Sequence, residues 1–354
     1  MKRFAVFSGF LGAGKTTLMM ALTRYYTEHY GKAAMISNDL GEGVTLADHR
    51  YAQLGGCTAA AITDECICFC HDVLTEKLDA FFESGCELVL SDIPGFGVGA
   101  LEHVYFGLSE EFPGRFELAP FTVLTEPENL SRLIADPGDD RSVICRSQLE
   151  EADLIVLNKC DLLSGKEIED YVNYLRDSFS HAKVLAVSAR RGDGLQELAE
   201  AMHSGSAALR HPDIDYDAAP LQDAFGRLCE YYLEYGALVC CNDFDGTAFL
   251  VSLAERIRSM VAESGYELPH MKLLAWSPDG DYGKADILGT GRAAETARRF
   301  ERPCTELAVI LNGTASCPYA KLDAIVTEAV GAVSKDFGLD TVLFKKEGFD
   351  LGED

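Results

Sequence analysis

Nine residues near the start of the chain, Gly9 to Thr17 (GFLGAGKTT), have the types and spacing that hold a polyphosphate. Gly9 to Thr16 fits G-x-x-x-x-G-K-[ST], and the context the motif needs is present, an apolar run before it and a helical pattern after it. Gly9, Gly12 and Gly14 free the backbone to turn successive N–H groups inward as an anion nest, which makes Gly12, Ala13, Gly14, Lys15, Thr16 and Thr17 the candidate nucleotide-binding residues. Lys15 is then expected to neutralise the β- and γ-phosphates, and the Thr16 hydroxyl to ligate Mg²⁺.

The base is predicted from Asn158-Lys159-Cys160-Asp161, directly after the apolar run Leu154 to Leu157. A carboxylate at Asp161 accepts from the N1–H and exocyclic amine of guanine, whereas adenine has an acceptor at N1 and would leave the carboxylate without a donor. Asn158 is expected to steady the loop, and the aliphatic stem of Lys159 to lie across the base. Ser188-Ala189, after a further strand-like run, has the form of a backbone loop that contacts guanine O6. Asp92-Ile93-Pro94-Gly95 follows Leu88-Val89-Leu90, so Asp92 sits where a carboxylate organises Mg²⁺ through water and the Gly95 N–H senses the γ-phosphate. Asn38-Asp39-Leu40-Gly41-Glu42 offers further carboxylates, Asp39 foremost, for Mg²⁺ or for orienting the attacking water.

Between the two acidic segments lies Cys66-Ile67-Cys68-Phe69-Cys70-His71. Residues two apart in an extended or irregular stretch face the same way, so three thiols are expected to converge while Ile67 and Phe69 pack on the other side. Three thiolates and a fourth ligand suit Zn²⁺, Cu⁺ or cobalt. The fourth place is open to Cys57, His71, Asp64, Glu65 or a water, and a redox dithiol is the competing use of the same thiols. Cys240-Cys241, Cys304 and Cys317 read as packing residues.

These groups need elements to hold them. Strands are expected at Phe4 to Ser8, Ala33 to Ser37, Glu87 to Ser91, Pro120 to Leu124, Leu154 to Leu157 and Val184 to Val187. Helices are expected at Thr16 to Tyr26, Val73 to Phe82, Leu130 to Ala135, Ile168 to Phe179 and Leu195 to Met202. Such alternation predicts an α/β fold, a doubly wound and mostly parallel sheet, over residues 1–204. A small, polar, proline-bearing linker follows at 205–220. Residues 221–354 read as a smaller α+β domain of ferredoxin-like type. Its helical patterns are at Leu221 to Tyr235, Phe249 to Ala262 and Leu322 to Val333, and its strands at Met271 to Ala275, Leu307 to Leu311 and Thr341 to Phe344.

With a net charge of −26 over 354 residues, the chain is expected to be repelled by nucleic acid and by anionic membranes. The start, Lys2-Arg3 and apolar residues, reads as a first strand rather than a signal peptide, and the twelve scattered cysteines as reduced thiols in a cytoplasm.

On Gly9 to Thr17, Asn38 to Glu42, the cysteine cluster, Asp92 to Gly95 and Asn158 to Asp161, residues 1–204 resemble the CobW-like branch of the P-loop GTPases, which also contains HypB, UreG and MeaB. The resemblance implies a slow GTPase (GTP and water to GDP and phosphate) that assists metal-centre assembly or cofactor loading on a client metalloprotein or corrinoid protein, with a possible nucleotide-dependent homodimer. By position it implies Lys15 and Thr16 for phosphate and Mg²⁺, Asp39 for the switch carboxylate, Cys66, Cys68 and Cys70 for metal, zinc or cobalt, and Asn158 with Asp161 for guanine. The chain departs from the family pattern in having Cys-Ile-Cys-Phe-Cys for Cys-x-Cys-Cys, and aspartate for glutamate at Asp39 and Asp92. A MeaB-like GTPase that gates corrinoid delivery is the neighbouring alternative.

Overall fold

The computed structural model describes residues 2–239 and 243–352. Cys240 and Cys241 lie outside the described residues. In chain order the first elements are β1 (Arg3–Ser8), α1 (Lys15–His29), β2 (Ala33–Asn38), α2 (Ala47–Leu54), β3 (Ala59–Ile62), α3 (His71–Glu83) and β4 (Leu88–Asp92). A π-helical turn at Leu101–Phe106 runs into α4 (Gly107–Glu111), and β5 (Glu117–Leu118), β6 (Thr122–Thr125), α5 (Pro127–Ala135), α6 (Asp140–Glu151) and β7 (Leu154–Leu157) follow. Then come α7 (Gly165–Ser178), β8 (Lys183–Ala186), α8 (Leu195–Ser204) and α9 (Ala219–Phe225). The rest of the chain forms β9 (Cys229–Val239), α10 (Gly246–Glu263), β10 (His270–Trp276), β11 (Tyr282–Ile287), β12 (Glu295–Arg298), β13 (Glu306–Ala315), α11 (Tyr319–Asp336) and β14 (Leu339–Asp350).

The chain divides into two compact units, residues 1–40 with 55–224, and residues 41–54 with 225–354. In the first, the main path of the sheet runs β3-β2-β4-β1-β6-β7-β8, with β5 alongside β1, and every pairing is parallel. The central strands β1, β2 and β4 are buried at every position, as strands covered by helices on both faces must be. The helices start where the chemistry allows. Ser164 and Glu167 form a reciprocal capping box on α7, and Glu126 caps α5 ahead of Pro127.

The second unit is an antiparallel sheet of order β12-β11-β10-β13-β9-β14. Without the inserted β11 and β12, it is the split βαβ arrangement, in which β9-α10-β10 and β13-α11-β14 interleave. Alternate residues face opposite ways. Tyr231, Leu233 and Tyr235 of β9, Leu273 of β10 and Val309 and Leu311 of β13 build a core with α10 and α11.

The other face of this sheet receives residues 41–54. Ala47 packs with Leu274 and Ile310, and its N–H donates to Asn312 Oδ1 at 2.5 Å. Thr45 donates to Glu234 Oε2 at 2.9 Å, and Lys272 pairs with Asp48. The Arg50 guanidinium lies 4.7 Å over the Trp276 ring.

The helix read from Leu221 to Tyr235 is corrected: only Ala219–Phe225 is helical, and Cys229–Val239 is the strand between β13 and β14. Its tyrosines and leucines match a helical period but fill both faces of a sheet interior. Among the described residues no helix is long and apolar enough to cross a membrane.

Candidate nucleotide and thiol site

The predicted site residues gather at the carboxyl ends of parallel strands: the glycine loop after β1, Asn38 and Asp39 at β2, Asp92 to Gly95 at β4, Asn158 to Asp161 after β7, and Ser188-Ala189 after β8. Ligands of open α/β sheets sit at this edge. Gly9, Gly12 and Gly14 have φ of 129°, 80° and 92°, which side-chain-bearing residues rarely adopt. A Cβ at Gly14 would also lie 2.5 Å from Asn158 Nδ2. The Lys15 ammonium folds back over the loop and donates to the Gly9 carbonyl at 2.6 Å. Thr16 is buried in the first turn of α1.

Asn158 joins three segments of the site. Its Nδ2 donates to the Ala13 carbonyl at 2.9 Å, and its Oδ1 accepts from the Ala189 N–H at 3.2 Å. Ser188 donates to Asp161 Oδ1 at 2.7 Å, which orients the carboxylate. Lys159 is in the left-handed region at φ 61°. Its ammonium is 3.7 Å from Glu126 Oε2. Glu126 has its own duty as the α5 cap, accepting from the Asn129 N–H at 2.9 Å. The Glu-Pro pair that opens α5 is the local feature that accompanies this cap.

Asp92 is buried and accepts the Asn38 N–H at 2.9 Å. Asp39 caps locally, its Oδ1 accepting from the Leu40 N–H at 3.0 Å. The Gly95 loop is held by Gln148 of α6, whose Nε2 donates to the carbonyls of Gly95 and Gly97 at 3.1 and 2.9 Å. Nothing in the apolar pattern marks Gln148, because the buried face of α6 also contains Ser142 and Glu151. Glu151 accepts from Tyr216 at 3.2 Å, and burial pushes its pKa up to about 8.

The cysteines correct the extended reading. Residues 67–69 form a turn, closed by the Phe69 N–H donating to the Cys66 carbonyl at 2.9 Å. A turn abolishes the alternation of faces, so Ile67 is buried while Phe69 is 68 % exposed. Cys66 Sγ and Cys68 Sγ are 3.1 Å apart, and Cys70 Sγ instead donates to the Cys66 carbonyl at 3.4 Å. The hydrogen bond shared by the first two sulfurs holds Cys66 below the usual thiol range and Cys68 well above it. Burial pushes Cys70 up to about 11. Asp39 and Glu65 are near enough to oppose charge on Cys66. Among the described residues no three His, Cys, Asp or Glu side chains form a ready-made cation cage. His71, beside the cluster in sequence, is engaged with Glu111 Oε1 at 3.0 Å.

A family model described as the CobW/HypB/UreG nucleotide-binding domain matches residues 3–186. The chain is 21 % identical over 206 residues to "Zinc-regulated GTPase metalloprotein activator 1" of Schizosaccharomyces pombe, which covers 54 % of this chain and 47 % of that one. It is 28 % identical over 188 residues to "Hydrogenase maturation factor HypB" of Azotobacter chroococcum, covering 52 % and 54 %. The aligned part spans roughly half the length of each of these curated relatives. Among solved structures, Zn(II)-bound YjiA GTPase from E. coli shares 18 % identity at a TM-score of 0.37, over 92 % of this chain and 98 % of that one. HypB from Helicobacter pylori in complex with nickel shares 16 % at 0.41, over 58 % and 89 %. The family model covers more than half of the chain and runs from β1 to the end of β8, so the chain belongs to the CobW/HypB/UreG family.

Proposed function

We propose that this protein is a GTP-hydrolysing metallochaperone that binds GTP or GDP with Mg²⁺ and carries a transition metal, zinc or cobalt, to a client metalloprotein or corrinoid protein. In this reading the amides from Gly12 to Thr17 and the Lys15 ammonium hold the phosphates, and the Gly95 N–H faces the γ-phosphate. Asp161 reads guanine, with Lys159 along the base and Ser188-Ala189 at O6. The Thr16 hydroxyl and the carboxylates of Asp92 and Asp39 are hard oxygen donors, the set Mg²⁺ takes. Cys66, Cys68 and Cys70 offer the soft donors that suit the cargo metal. Mg²⁺ supplies charge neutralisation on the phosphates; the chain's own part is to orient them, with Asp39 aligning the attacking water.

The observation that carries the reading is Asn158, which ties the glycine loop to the Ser188-Ala189 loop and so supports taking the two as one nucleotide frame. Untagged full-length protein should bind GTP at least about 100-fold more tightly than ATP, given the unpaired carboxylate adenine would leave. It should release phosphate from GTP with Mg²⁺ and bind one Zn²⁺ or Co²⁺, lost when Cys66, Cys68 and Cys70 are changed to serine. A preference for adenosine nucleotides sinks the nucleotide half, and metal retained by the serine variants sinks the thiol half.

A further inference from the structure

Asn38, the last residue of β2, touches both parts of the site. Its main-chain N–H donates to Asp92 Oδ1 at 2.9 Å. Its side chain reaches the other way. Nδ2 donates to the carbonyls of Ile62 at 3.2 Å and Glu65 at 2.9 Å, and Oδ1 accepts the N–H of Ile67, the residue between the two paired thiols, at 3.0 Å. Asn38 is 4 % exposed and Asp92 5 %. The end of β3 and both sides of the thiol turn thus hang from one side chain, and that residue's backbone is fixed to the Asp92 carboxylate.

The chemistry of the amide makes this link exacting. A short primary amide presents two donors and an acceptor in one plane, and here all three are used on backbone groups. A satisfied buried network resists shear, since breaking any member leaves a desolvated polar group. Were Asp92 drawn toward a cation, the β2 terminus would follow or lose its bond, and the turn that presents Cys66 and Cys68 would follow β2 or lose its own.

We propose that Asn38 is a positioning residue that transmits nucleotide-dependent movement of Asp92 to the Cys66–Cys68 pair. The proposal rests on the reading above that Asp92 faces the Mg²⁺ of a bound guanine nucleotide. Asp39 gives a competing route, acting on Cys66 through charge alone, and Asn38→Ala, which adds no charge, keeps that carboxylate in the chain.

The test uses the full-length protein without added transition metal. Alkylation rates of Cys66 and Cys68 by iodoacetamide are read by peptide mass spectrometry with Mg²⁺-GDP and with Mg²⁺ and a non-hydrolysable GTP analogue. The wild-type rates should differ between the two states by at least about 5-fold, the lower end of ordinary coupling between sites. In Asn38→Ala, and in Asn38→Asp, which keeps an acceptor for Ile67 but loses both donors, the ratio should fall to within about 2-fold of unity while nucleotide binding persists. Amide hydrogen exchange at Ile67 in the wild type, which needs no variant, should likewise differ between the nucleotide states. A wild-type ratio that survives in a folded variant overturns the proposal, as does a wild-type protein that binds both nucleotides with equal thiol rates and equal Ile67 exchange. Absence of guanine-nucleotide binding, seen in the titration that precedes alkylation, overturns the underlying reading instead.

Discussion

Asp161 is fixed by Ser188 at one oxygen and has donors to find for the rest of its carboxylate. Replacing it by asparagine puts an amine where the guanine donors would lie, so Asp161→Asn should lower GTP affinity by about 100-fold, roughly 3 kcal/mol, and raise affinity for xanthosine triphosphate, which offers a carbonyl there. Competition binding with the two nucleotides checks it. Glu151 gives a prediction in pH. Burial raises its pKa from 4.5 to about 8, so the folded protein holds a proton that the unfolded chain releases over this interval. Stability from this group is full below about pH 4.5, declines as pH rises, and is lost by about pH 8. Glu151→Gln, neutral throughout, should melt progressively higher than wild type as pH is raised from 5 to 8.5, and thermal denaturation across that range reads the gap. The local motifs were legible because their partners are neighbours in sequence: Gly9 to Thr17 and Asn158 to Asp161 each carry their chemistry in one contiguous run. Gln148 and Glu126 were not legible as site residues, and Asn38 was legible only as the first residue of the segment Asn38 to Glu42. Gln148 reaches carbonyls 53 and 51 residues away, and no local pattern encodes such a pairing.

At the scale of elements, α6 works as the brace of the Gly95 loop. Gln148→Leu keeps the volume close but removes the donor shared by the buried Gly95 carbonyl and the part-buried Gly97 carbonyl. Phosphate release should slow by about 10-fold or more, with GDP affinity changed much less, since the loss falls on the segment proposed to face the γ-phosphate. Steady-state turnover set against GDP titration separates the two. Most strands and helices of the first unit were legible in sequence, as buried parallel strands leave short apolar runs and their helices leave amphipathic ones. The exceptions have physical reasons. Strand β3 is four residues of Ala59-Ala60-Ala61-Ile62 at the sheet edge, too small and short to stand out. Helix α6 buries polar residues, which erases its stripe. Strand β9 carries aromatics on successive positions, Tyr231 and Tyr232, because the sheet it crosses is covered on both faces, and the alternation that marks a half-exposed strand is gone.

At the scale of the whole molecule, residues 41–54 are the unusual part, since they follow Asn38 and Asp39 in sequence yet belong to the second unit. Their anchors are specific: Asp48 with Lys272, Ala47 with Asn312, Arg50 over Trp276. Removing one partner of this largely buried ion pair loosens the hold on the other, so Lys272→Met in the full-length protein should open this segment more often. Trypsin cleavage after Arg50 is expected to quicken by roughly 10-fold under native conditions while the global melting point falls by only a few degrees. The composition and periodicity of residues 41–54 do not announce this arrangement, because what holds them lies 189 or more positions downstream.

That separation orders events during synthesis. Asp48 and Lys272 are 224 residues apart, and Ala47 and Asn312 are 265 apart. A ribosome adding about 5–20 residues per second finishes β3 and everything needed for the first parallel sheet while the surface that will seat Ala47 is still untranslated. For those seconds residues 41–54 have no sheet to pack on, and seating them is a long-range step with an entropic cost. Residues 41–54 can therefore be seated only once β10 and β13 have left the ribosome.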